Sequence, residues 1–143
     1  MSLESLKTII QILSALATAV AAMGALIVYR TNSRRERARW AESLYARFFE
    51  RLELKTIRDK LDSLRGNPEV HRLVAEESAA LTDYLNFFEF VAYLRSSKQL
   101  SKTDIQALFG YYLACLRRHD EVAAYVRNRE KDFEYLREML FNE

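Results

Sequence analysis

The chain has 143 residues, a formal net charge of +2, three glycines, one proline and one cysteine. That length suits one small core rather than two, and so near-neutral a balance gives no ground for a nucleic-acid partner. A lone cysteine, Cys115, excludes an internal disulfide and suits a reducing compartment, and so little glycine and proline suits a helical chain.

Residues 8–29, TIIQILSALATAVAAMGALIVY, form an uncharged and mostly apolar run. About 20 such residues coiled as an α-helix match the hydrocarbon thickness of a bilayer, where no water satisfies a free backbone N–H or C=O. Ala15-Leu16-Ala17 and Ala19-Val20-Ala21 resemble the small residues before a signal-peptide cleavage site. A signal peptide, however, carries its basic region ahead of a shorter apolar stretch, whereas the leader MSLESLK has only Lys7 against Glu4. The reading is therefore a retained transmembrane helix, 8–29, behind a short tail, 1–7. Arg30, Arg34, Arg35, Arg37 and Arg39 follow it directly. By the positive-inside rule this basic cluster at the membrane junction puts residues 30–143 in the cytoplasm and the N-terminus outside. The same charges can recruit anionic lipid, at ~1 kcal/mol each near the surface. Within the run, Ser14, Thr18, Ala21, Ala22 and Ala25 make a stripe of small residues at spacings suited to helix–helix packing.

Beyond the junction, residues 32–52 continue the helix. Trp40, Leu44, Phe48 and Leu52 recur every four residues, an apolar side for later helices to dock on. Leu54, Ile57, Leu61 and Leu64 predict a second helix. Gly66-Asn67-Pro68 breaks the chain, with Gly66 suited to a helix C′ position, Asn67 to an N-cap and Pro68 to the first turn of the next helix. That helix carries Val70, Leu73 and Val74 and is expected to bend near residues 76–78.

Residues 79–95, AALTDYLNFFEFVAYLR, are the most apolar part after the anchor. At 100° per residue, Leu81, Tyr84, Leu85, Phe87, Phe88, Val91, Ala92 and Leu94 cover over half the circumference, as in a helix central to its bundle. Glu89 borders that arc and needs a partner, because an unpaired buried carboxylate is costly. Ser101 and Asp104 approximate a capping box opening a fourth helix, with Arg117, Arg118 and His119 at its C-terminal end, where the helix dipole favours positive charge. A last helix runs from residue 119 or 120, burying Val122, Val126, Phe133, Leu136 and Leu140. Arg129 falls in the middle of that face, so Glu89 and Arg129 are expected to form a structural ion pair.

Catalytic chemistry leaves little trace. His71 and His119 lie in different helices without Cys or His at metal-ligand spacing. Cys115 and His119 lack a third orienting group. No glycine-rich phosphate loop and no Glu-x-x-His pattern occurs. No catalytic, cofactor-binding or metal site is assigned, and no enzyme activity is expected.

Taken in order, the apolar anchor, basic junction, Trp-bearing helix, Asn-Phe-Phe-Glu (86–89), Leu-Ser-Lys-Thr-Asp-Ile (100–105), Leu-Phe-Gly-Tyr (108–111) and Phe-Glu-Tyr-Leu (133–136) form a pattern. It resembles a family of small, bacterial, single-pass membrane proteins grouped as a domain of unknown function. The resemblance spans nearly the whole chain. It implies a bacterial inner-membrane location and brings no activity, cofactor or site residue. The expectation is thus an all-α protein: one transmembrane helix continuing into a cytoplasmic bundle of about four to five helices. Its partners are membrane lipid and a protein, either a different chain or a homo-oligomer, which it scaffolds or regulates at the membrane. The alternative is an accessory subunit of a larger membrane complex, contacting it through the anchor itself.

Overall fold

The computed structural model describes residues 3–129 and 131–142. Among them are seven helices and no strand: α1 (Leu3–Glu50), α2 (Leu52–Leu61), α3 (Pro68–Glu76), α4 (Ser78–Ser96), α5 (Lys102–Arg118), α6 (Asp120–Asn128) and α7 (Glu134–Phe141). The chain divides into two units, Met1–Arg39 and Trp40–Glu143, and the division falls inside α1.

In the first unit every side chain from Lys7 to Asn32 is exposed, the small-residue stripe included. The helix is long and apolar enough to cross a membrane, and none of its apolar window is buried. Its threonine hydroxyls are satisfied locally. Thr8, Thr18 and Thr31 Oγ1 donate to the carbonyls of Glu4, Ser14 and Ile27 at 3.0, 2.9 and 2.9 Å, the back-bonding that hides a hydroxyl inside a helix. Residues 3–7 of the expected tail belong to α1, while Met1 and Ser2 lie outside the described residues. All five arginines of the cluster are exposed, and Arg39 Nη1 lies 3.4 Å from Glu36 Oε1.

The second unit holds the core. Of the expected stripe on α1, Leu44 and Phe48 are buried and Trp40 is half-exposed, whereas Leu52 is 72% exposed. The helical period stops at Arg51, whose extended backbone (φ −73°, ψ 119°) separates α1 from α2 and turns Leu52 off the stripe. Leu64 likewise lies past the end of α2 and is 84% exposed. Gly66 is not a helix C′ residue but the third residue of a turn closed by Asn67 N–H on Leu64 O at 3.2 Å. Its φ of +80° explains the glycine. Asn67 caps α3 by accepting from Glu69 N at 2.9 Å, and Pro68 opens that helix.

The expected bend is a full break at Glu77, which ends α3 and precedes α4. All eight residues of the wide apolar arc on α4 are buried. This helix packs against α2, α3 and α7. Ser101 and Asp104 form a complete capping box on α5. The last helix, however, is two. α6 ends at Asn128 and α7 begins at Glu134, so among the described residues six helices follow α1 instead of about four to five.

The end of α4 carries local strain. Lys98 N–H donates to Arg95 O at 2.9 Å and Gln99 N–H to Leu94 O at 2.8 Å, the paired bonds of a Schellman motif. They require a left-handed residue at position 98, and lysine adopts it with φ +59°. A β-carbon costs about 1–2 kcal/mol in that conformation. Lys98→Gly is therefore expected to stabilise the full-length protein by about 1 kcal/mol in denaturant titration in detergent, whereas Lys98→Ala, which keeps the β-carbon, should bring no comparable gain.

Candidate functional site

Within the second unit, polar side chains gather at helix ends. Arg58 occupies the fourth-residue position of the apolar stripe Leu54, Ile57 and Leu61, and it is buried with them. Its Nη1 donates to Phe48 O in the last turn of α1 at 3.2 Å. Its guanidinium lies 5.3, 4.7 and 5.9 Å from the ring centroids of Phe48, Phe49 and Tyr112. A carbonyl left over at a helix C-terminus and three ring faces thus compensate a buried cation.

A second group clasps the end of α2 and the segment after it to the junction of α5 and α6. His119 is fully buried, with Nε2 2.9 Å from Leu61 O. Because a carbonyl only accepts, that nitrogen is the donor, and Nδ1 is buried without a hydrogen-bond partner. Arg118 Nη1 donates to Ser63 O at 3.2 Å, Arg65 Nε to Asp120 Oδ2 at 3.1 Å, and Tyr111 Oη to Asp62 Oδ1. That last bond raises the Tyr111 phenol above its usual range. His119, expected with Arg117 and Arg118 at the end of α5, stands there but is fully buried. It falls three residues beyond Leu116, on the helix's inner side.

Glu89 and Arg129 are not brought together. Glu89 Oε1 accepts from Tyr135 N–H at 3.1 Å and Oε2 from Leu136 N–H at 2.7 Å. These amides are in the first turn of α7, whose N-cap residue Phe133 has no side chain to accept them. Arg129 ends α6 in the turn, with its guanidinium 4.5 Å from the Tyr125 ring and 3.8 Å from Asp132 Oδ2. The expected pair assumed one unbroken final helix. Its break exposes Arg129 and leaves two backbone N–H groups free to donate to the Glu89 carboxylate, which takes them in place of the distant guanidinium. Glu130, the acidic neighbour of Arg129 in sequence, lies outside the described residues.

An open cleft of about 800 Å³ lies where the end of α1, the start of α2 and α4 meet. Leu54 and Phe87 are buried in its wall and Phe90 is partly exposed beside them, with Arg47, Arg51, Glu53, Asp83 and Asn86 around them. Among the described residues, no group of three or more His, Cys, Asp and Glu is placed to hold a metal. His71 is exposed on α3. Cys115 is buried on α5, and that burial pushes its thiol up, against a weaker opposing pull from Arg118.

Two outcomes follow from these contacts. Glu89→Ala orphans two amides and is expected to destabilise the full-length protein by about 1–3 kcal/mol in chemical denaturation. Arg129→Ala should cost less than about 1 kcal/mol, and the double variant should be additive within about 0.5 kcal/mol. Cys115, buried and held as the thiol, should be modified by a thiol reagent at neutral pH more than about 100-fold slower in the folded than in the denatured protein. Mass spectrometry of timed samples measures both rates.

No family model, no curated protein and no solved structure matches the chain, so its own geometry carries the functional reading.

Proposed function

We propose that this protein is a single-pass, membrane-anchored interaction module: residues 8–29 span the inner membrane of a bacterium, and the helical unit scaffolds or regulates a protein partner at its cytoplasmic face. One observation carries the reading. The helix long and apolar enough to cross a bilayer has no side chain of its apolar window buried in the rest of the chain. Leaving so much contiguous apolar surface in water is strongly unfavourable, and a bilayer is the solvent that removes the cost. Threonines that bond back to their own helix fit that solvent, since each hydroxyl reaches the hydrocarbon already satisfied. Arginines on the C-terminal side alone give the orientation, with the second unit in the cytoplasm. Exposed as they are, they also supply contacts for anionic lipid headgroups. No catalytic role is assigned.

The test is fractionation with a topology reporter. The full-length protein should stay with membranes through alkaline carbonate extraction, and a C-terminal fusion should be active only with a reporter that works in the cytoplasm. Release into the soluble fraction would overturn the anchor, and a reporter active only outside would overturn the orientation.

A further inference from the structure

Arg30, Arg34 and Arg37 follow one another at spacings of four and three on the unbroken helix α1. At 3.6 residues per turn they fall within about 60° of one another, so they share one face. All three are exposed, and among the described residues none of them forms an ion pair. Arg35, Glu36 and Arg39 lie on the other side of the helix. There Arg39 Nη1 is 3.4 Å from Glu36 Oε1, so part of that charge is engaged within the chain.

The face with three arginines turns apolar just before them. Met23, Leu26 and Ile27 lie on it, and all are exposed. From Arg30 to Arg37 the helix rises about 10 Å, while the headgroup layer on each side of a bilayer is about 5–7 Å deep. Arginine side chains that bend back toward the interface make up the difference.

This adjacency selects the ligand. A free anion, an acidic peptide or a nucleic-acid backbone meets the cations and leaves the apolar part of the face uncovered. A lipid without net charge covers the apolar part, but its phosphate is already compensated by its own cation. An anionic phospholipid supplies both halves. Its phosphate accepts paired hydrogen bonds from guanidinium groups, and its acyl chains run directly along the apolar residues.

We propose that Arg30, Arg34 and Arg37, together with Met23, Leu26 and Ile27, form a site for one anionic phospholipid on a single face of α1. The site rests on the membrane-anchor reading and deepens it: the lipid is held by one face, not drawn diffusely to five charges.

Variants that remove equal charge from opposite sides of the helix test it. The full-length protein in mild detergent is titrated with phosphatidylglycerol or phosphatidylcholine, and native mass spectrometry counts the bound lipid. The native chain should bind phosphatidylglycerol at least about tenfold more tightly. Arg30→Gln combined with Arg34→Gln should weaken that binding by about tenfold or more. Arg35→Gln combined with Arg39→Gln should leave it nearly unchanged. All four positions are exposed, and matching circular dichroism shows each variant folded. Equal weakening by the two pairs would mean attraction to net charge alone and would overturn the site. So would equal binding of the two lipids, or release of the bound lipid by inorganic phosphate at constant ionic strength. Carbonate extraction of cells making the native chain keeps the readings apart. A chain retained in the membrane but without the lipid preference sinks only the lipid site, and a released chain sinks the anchor.

Discussion

Phe48, fully buried in the last turn of α1, has six aromatic rings within 6 Å: Phe49 beside it, Tyr84, Phe87 and Phe88 from α4, and Phe109 and Tyr112 from α5. Its carbonyl accepts from Arg58 on α2, whose guanidinium also lies over its ring. One residue therefore fixes where α1 ends and where α2 starts, and gives α4 and α5 a common surface to close on. The ring contacts add edge-to-face attraction to a large area of buried apolar surface. Arg58 is tolerated in that interior because a carbonyl and three rings replace the water it loses.

A related pattern recurs through the unit. Helix ends are closed by side chains from other elements. Arg58 serves the end of α1, His119 and Arg118 serve carbonyls at and just after the end of α2, and Glu89 serves the start of α7. Several of these helices are short, with ten residues in α2, nine in α3 and α6 and eight in α7. Helices so short are marginal in isolation. Their ends and their packing consequently form together, which makes the unit cooperative by construction.

What the sequence revealed and what it hid divide along physical lines. The wide arc of α4 was legible because eight apolar residues on one helix leave few other ways to bury them. The Asn67 cap and the Ser101–Asp104 box were legible because caps are local chemistry. Glu89's need for a partner was also legible, but not the partner, since backbone amides leave no mark in a sequence. The break after α6 had no glycine or proline to announce it. Arg58 was not singled out and His119 was read only as charge at the end of its helix, although each keeps the apolar period of its helix: Arg58 follows Leu54 by four residues and His119 follows Leu116 by three. The cleft was invisible because the residues that line it come from separate elements.

The carboxylate on α4 that holds the first turn of α7 also sets how that turn meets solvent. Tyr135 and Leu136 amides would normally be among the fastest to trade their protons for deuterium, because the first turn of any helix has no earlier carbonyl to bond. Here their acceptor lies 46 and 47 residues away in sequence. Fraying within α7 alone does not free these amides unless the Glu89 contact parts as well. Their deuterium uptake thus reads the separation of two helices, making the start of a helix a gauge of tertiary order.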